Sequence, residues 1–299
     1  MKKIFTLAAR LATRASVAAV ASACLLVAIP AQAGIANTKH NLGAKGTGAN
    51  HLAAGGTDEI CVFCHTPHAA DNSAPAPLWN KKLPDGTGYT TYANLGSSTI
   101  DGKILNVGSI SLACLSCHDG TQAMDNVINS PGSGGYAADG GGAAGQNWSW
   151  AGSLRVDGDG KLINATDTLA MLGTDLSNDH PIGIQYCGGG QTTTQINGAC
   201  VDPDFVAPTT RNINGKQVWW VDTSVGTAGR EKTDMILYTR DFNTAVTGQP
   251  ANAGIGPSVE CGSCHDPHAD QADTNSKAGA TFLRIANNES KVCLACHVK

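Results

Sequence analysis

Apolar and polar positions fall into a regular period in only a few stretches of this chain. Residues 217–221 (Gln-Val-Trp-Trp-Val) and 235–238 (Met-Ile-Leu-Tyr) are short apolar runs that read as strands. Residues 153–156 and 161–164 flank Asp157-Gly158-Asp159-Gly160 and predict a β-hairpin on an Asp-Gly turn rather than a calcium loop. Thr57-Asp58-Glu59 and Asn288-Glu289-Ser290 each open a short predicted helix, and Ser111-Leu112-Ala113 leads into another. Residues 41–56 carry no period and read as an extended arm; the glycine run at 132–145 has no readable structure. The longest apolar run, residues 15–29, follows Lys2, Lys3, Arg10 and Arg14 and precedes Ala31-Gln32-Ala33, the pattern of an export signal over residues 1–33. It is shorter than the ~20 residues of a spanning helix, so no membrane span is expected after cleavage.

Composition changes the picture in one respect. With 36 glycines and only 5% aromatic residues among 299, the chain has little from which to build a conventional core. Something else must supply apolar surface. The formal charge is −4, and loss of residues 1–33, which hold four cations and no acid, would make it −8. An acidic surface argues against nucleic-acid binding and leaves basic partners and mineral surfaces open.

The missing surface is suggested by the cysteines. Ten of the 11 lie outside the signal-like run, in a pattern that includes Cys-x-x-Cys-His four times: Cys61-Cys64-His65, Cys114-Cys117-His118, Cys261-Cys264-His265 and Cys293-Cys296-His297, which use eight. That spacing is the attachment pattern for c-type haem: two thiols form thioethers to the porphyrin and the adjacent histidine becomes the proximal iron ligand. Zinc knuckles need no histidine directly after each pair. Four covalently bound haems are therefore expected, and their flat apolar faces replace a core. The predicted fold class is a multihaem cytochrome c: mostly coil, short α-helices at the motifs and a few β-hairpins around stacked haems. Cys187 and Cys200 lie outside the motifs in a chain expected to be exported, and a disulfide between them is expected.

With His65, His118, His265 and His297 as proximal ligands, five histidines remain for four sixth positions: His40, His51, His68, His180 and His268. Met124, Met171 and Met235 are the competitors and are read as packing. Two axial histidines of one iron need Cα atoms roughly 12–13 Å apart, given metal–nitrogen bonds of roughly 2 Å. Three extended residues span only about 10–11 Å. His68 therefore serves a haem other than that of His65, and His268 one other than that of His265.

Each half of the chain has an upstream histidine, then Cys-x-x-Cys-His-x-Pro-His, then Cys-x-x-Cys-His. This order, with Thr38-Lys39-His40-Asn41-Leu42, Pro77-Leu78-Trp79-Asn80 and His180-Pro181, resembles bacterial multihaem cytochromes with doubled motifs, and most of all the tetrahaem subunits of extracellular cytochrome filaments. The chain is expected to divide into segments 1–33 (signal), 34–130 (dihaem module), 131–256 (insertion) and 257–299 (dihaem module), and the resemblance covers the two dihaem modules. The resemblance implies bis-histidine haems, homopolymerisation with one distal histidine, His40 or His51, given to the next subunit, and electron transfer to redox proteins, other cytochromes or metal oxides outside the cell. A soluble periplasmic shuttle is the alternative. An enzyme, such as a multihaem reductase with an open iron, is not expected.

Overall fold

The computed structural model describes residues 34–298 apart from 74, 154, 165–169, 225–228, 247–252 and 270–281. The expected signal segment lies outside the described residues. Regular structure is sparse. Among the described residues there are three short α-helices, α1 (Ser109–His118), α2 (Cys261–Cys264) and α3 (Lys291–Leu294). The described strands are β1 (His51–Leu52), β2 (Trp150–Ala151), β3 (Ile184–Gln185), β4 (Thr209–Ile213), β5 (Lys216–Val221), β6 (Met235–Asp241) and β7 (Ile255–Val259).

β3 to β7 form one antiparallel sheet in the order β3-β7-β6-β5-β4. Its hairpin between β4 and β5 turns on Asn214-Gly215, both at positive φ (51° and 78°), which matches the twist of the flanking strands. The two apolar runs expected as strands lie within β5 and β6. One face of these strands carries Trp219, Val221, Met235 and Leu237 into a buried cluster with Tyr186 and Cys187. Trp220, on the other face of β5, is buried as well. β7 runs straight into the third motif: it ends at Val259, Glu260 caps, and α2 starts at Cys261. The sheet is thus the base on which that motif sits. Gly262 of α2 lies against the phenol oxygen of Tyr238 on β6, so close that a Cβ there would collide with it.

Several expectations are corrected. The segment 41–56 is not an extended arm: Leu52 joins Val62 and Phe63 in a buried cluster backed by Leu42, Ala44, Trp148 and Trp150, and β1 pairs with β2. The sequence hides this because, besides the neighbouring Val62 and Phe63, the apolar partners come from the distant segment that carries Trp148 and Trp150. The first helix does not start at Thr57; a single 3-10 turn spans Cys61–Phe63 with Ile60 as its cap. Around the Asp-Gly turn the expected hairpin does close, Asp157 N donating to Lys161 O and Ile163 N to Arg155 O about the antiparallel bridge Val156↔Leu162, though among the described residues it is too short to form strands; the Asp157 carboxylate accepts from the Asp159 and Lys161 amides. The glycine run is ordered against residues 123–128: Ala137 N donates to Ile128 O, and Gly145 (φ 66°) packs on Asp125 without room for a side chain. Finally, α3 carries Cys293 but stops before Cys296.

Candidate haem-binding sites

The first and third motifs are built alike, down to single hydrogen bonds. After the first, Asn80 N donates to Cys64 O (2.9 Å) and Thr66 N to Leu78 O (2.8 Å); after the third, Arg284 N donates to Cys264 O (2.8 Å) and Asp266 N to Phe282 O (2.8 Å). The bridges His65↔Trp79 and His265↔Leu283 correspond in the same way. Leu78 and Phe282 both take positive φ (56° and 54°), a conformation that bulky residues avoid. At Leu78 the turn aims the preceding carbonyl, Pro77 O, at His65 Nδ1, 2.7 Å away. The duplication read from motif order is therefore a duplication of fold.

In each half a buried polar side chain fixes the motif loop. Asn80 donates to Val62 O and Asn129 O and accepts from Asn129 N. Arg284, buried, donates to Gly262 O and Lys232 O. The fourth motif is held differently. Segment 204–206, just past the disulfide loop, pairs with it: Val206 N donates to Cys296 O, Val298 N to Asp204 O, and Phe205 packs 4.3 Å from the His297 ring. Cys187 and Cys200 are joined as a disulfide that closes the loop before this segment.

The motif cysteines succeed one another in chain order. Burial pushes the Cys64 thiol up to about 12, with Cys117 adding to it. Cys114 and Cys261 share a hydrogen bond, which raises the first thiol and lowers the second. Burial also raises Cys264 to about 11 and Cys296 to about 12, with Cys293 beside both. The motifs thus form a row, first to second to third to fourth.

The structure pairs two of the candidate distal histidines with proximal ones. The rings of His65 and His268 are 6.0 Å apart by centroid with planes 15° apart; those of His118 and His40 are 6.0 Å apart at 68°. Two imidazoles bound through nitrogen to opposite faces of one metal, at roughly 2 Å each, place their centroids roughly 6 Å apart. The tautomers agree. Pro77 O, Ala170 O and Pro267 O lie 2.7, 2.6 and 3.4 Å from Nδ1 of His65, His118 and His40, and an Asp266 oxygen lies 3.5 Å from Nδ1 of His268. These oxygens can only accept, so Nδ1 carries the proton and Nε2 keeps the lone pair that binds metal. Burial drives His40 down to about 4, with the charges of His118 and His268 acting in the same direction against the Pro267 carbonyl. His118 is lowered too, chiefly by burial. Both are neutral near pH 7, the form that ligates.

His68 and His180 are exposed, and His51 sits half-buried on β1 with Nδ1 3.0 Å from Leu52 O. Among the described residues no three His, Cys, Asp or Glu side chains converge on a metal ion; a haem iron asks the protein for only two ligands. The fit extends to polar groups. The buried indole N–H groups of Trp79 and Trp219 have no hydrogen-bond partner among the described residues, and they pack beside Cys64 and beside Cys264 and Cys296. Porphyrin carboxylates are acceptors of the kind they lack.

Sequence reasoning missed Asn80, Arg284 and a buried carboxylate, Glu260, that ties the second motif to the third. Of these, Asn80 had a signal, since its segment was part of the resemblance. Among the described residues no helix is long and apolar enough to cross a membrane. Comparison with protein-family models, with curated proteins and with solved structures found no match to this chain.

Proposed function

We propose that this chain is an exported tetrahaem c-type cytochrome that carries electrons along four bis-histidine haems, as a subunit of an extracellular filament. The observation that carries the reading is the coincidence of two histidine pairs at 6.0 Å with two of four Cys-x-x-Cys-His motifs set in a row. When bound, haem supplies an iron that exchanges one electron. The chain's residues do the rest. Cysteine pairs hold the porphyrin by thioethers: Cys61 and Cys64, Cys114 and Cys117, Cys261 and Cys264, Cys293 and Cys296. His65, His118, His265 and His297 are the proximal ligands; His268 and His40 complete the first and second sites. Backbone carbonyls fix the tautomer and so the ring orientation. At the first and second sites a filled coordination sphere would leave no position for substrate, which favours electron carriage over a reductase there.

The test is to produce the full chain in a host that matures c-type cytochromes. Four haems per chain, retained on denaturation, with a wholly low-spin ferric spectrum, are expected. A chain that carries zinc and no haem, or that binds carbon monoxide when reduced, would overturn the reading.

A further inference from the structure

The second and third motifs meet around a buried carboxylate. Glu260 is 1% exposed and immediately precedes Cys261. Its Oε2 accepts from Ser111 Oγ (2.6 Å) on α1, and its Oε1 from Ser258 Oγ (3.0 Å) and Arg240 Nη1 (2.6 Å). Ser111 Oγ in turn accepts from Cys261 N (3.1 Å). Arg240 reaches back over Gly108, the cap of α1, and donates from Nη2 to Asn106 O (3.0 Å). One carboxylate therefore holds the start of α1, which carries Cys114, against the start of α2, which carries Cys261.

A hydrogen-bonded link of this kind does not need a charge. Burying an ion costs several kcal/mol, only partly offset by a partner. The ion pair is also lopsided: the Arg240 side chain is 17% exposed and that of Glu260 is 0% exposed. Water screens the positive end, while the negative end points at the junction of the two motifs. Burial raises the Glu260 carboxyl above its ordinary range, while the Arg240 charge and the hydrogen bonds from Ser111, Arg240 and Ser258 pull it back towards the ionised form; the charge so held opposes the arrival of an electron at either neighbouring iron.

We propose that Glu260 is a positioning residue for the middle of the electron path: it sets the second motif against the third, and its charge makes the two haems held there harder to reduce. This rests on the tetrahaem reading and adds an assignment to it.

The test is spectroelectrochemical titration of the haem-loaded full chain as wild type, Glu260→Gln, Ser111→Ala and Asp85→Asn. Glu260→Gln keeps the shape and loses the charge. Two of its four midpoints should rise, each by about tenfold in the reduction equilibrium, or 59 mV for one electron. Ser111→Ala keeps the charge but removes a donor that disperses it, so the same two midpoints should fall, by less. Asp85, an exposed carboxylate, is the control and should move none. Unchanged midpoints in Glu260→Gln, or a uniform shift of all four, would overturn the proposal. If that variant does not mature, a null or upward shift in Ser111→Ala overturns it instead. Haem content is measured first: a wild-type chain without haem defeats the tetrahaem reading, whereas four haems with unmoved midpoints defeat only this assignment.

Discussion

His65 and His268 face each other at 6.0 Å with nearly parallel planes, although they stand in different halves of the chain. His268 belongs to the third motif's own sequence, Cys-x-x-Cys-His-x-Pro-His, yet its ring lies at the first motif's proximal histidine. Three residues are too short a span for it to share an iron with His265, and its ring lies beside His65 instead. His40 makes the complementary crossing. It pairs with His118 of the second motif while its ring stacks on Phe282 at 4.2 Å and its Nδ1 faces Pro267 O, both next to the third motif. The two halves are thus tied at the histidines proposed to hold iron.

Loss of either crossing histidine should open one iron and no more. In the haem-loaded protein, His268→Ala and His40→Ala should each turn one haem in four high-spin and give it affinity for carbon monoxide. The low-spin signals they remove should differ in electron paramagnetic resonance. Near-parallel ligand planes at 15° give a rhombic signal, whereas planes at 68° give a strongly anisotropic one. If both variants remain fully low-spin, these pairs are not ligand pairs.

What the sequence made legible is what is local. Attachment cysteines and proximal histidines sit within five residues of one another, so spacing alone identifies them. The strands at 217–221 and 235–238 are legible for the same reason. The crossings by His40 and His268, and the folding of 41–56 onto Trp148 and Trp150, depend on contacts between distant segments that no local period encodes. Glu260 carries no signal of its own in sequence; only the arrival of Ser111 and Arg240 from elsewhere reveals its role.

Lys81 shows the same limit and supplies a stability test. In sequence it resembles a surface lysine, but it is 0% exposed, and its ammonium donates to Ala123 O, Met124 O and Asn126 O at 2.9–3.2 Å. It gathers the loop on which the glycine run closes. Lys81→Met leaves three carbonyls without that donor and should cost about 3 kcal/mol, since a buried polar group left unsatisfied costs roughly 1–3 kcal/mol. Denaturant unfolding of the haem-loaded variant should show the lower midpoint with haem content unchanged. An unshifted midpoint would mean that water reaches these carbonyls.

The Cys187–Cys200 disulfide should act on the fourth site. Tyr186, next to Cys187, donates its hydroxyl to Val206 O (2.7 Å), and Val206 N holds Cys296 O (2.8 Å). A crosslink over a loop of this size contributes about 3 kcal/mol, chiefly by restricting the unfolded chain. Peptide mapping without reductant should recover the two cysteines linked. The double Ser variant should keep its haem spectrum at 25 °C, yet lose the low-spin signal of the His297 haem first on heating. Simultaneous loss of all four signals would show that the loop braces the whole molecule instead.

The last prediction concerns the third and fourth irons. With His40 and His268 placed at other sites, His51, His68 and His180 remain for His265 and His297: three candidates for two positions. His40 was one of two residues expected to reach a neighbouring subunit, and its place beside His118 in the same chain passes that role to His51. If His51 serves a neighbour, one of His68 and His180 is spare. Single replacement by Ala should then give an uneven outcome. His51→Ala should form no filaments and show one high-spin haem in four at every concentration, and wild type diluted below its assembly threshold should show the same fraction. Of His68→Ala and His180→Ala, one should lose a low-spin haem within the subunit and the other none. Electron microscopy and the ferric spectrum of the same samples decide it. A His51→Ala variant that assembles normally and stays wholly low-spin would show that the subunits, if they polymerise, do so without exchanging this ligand.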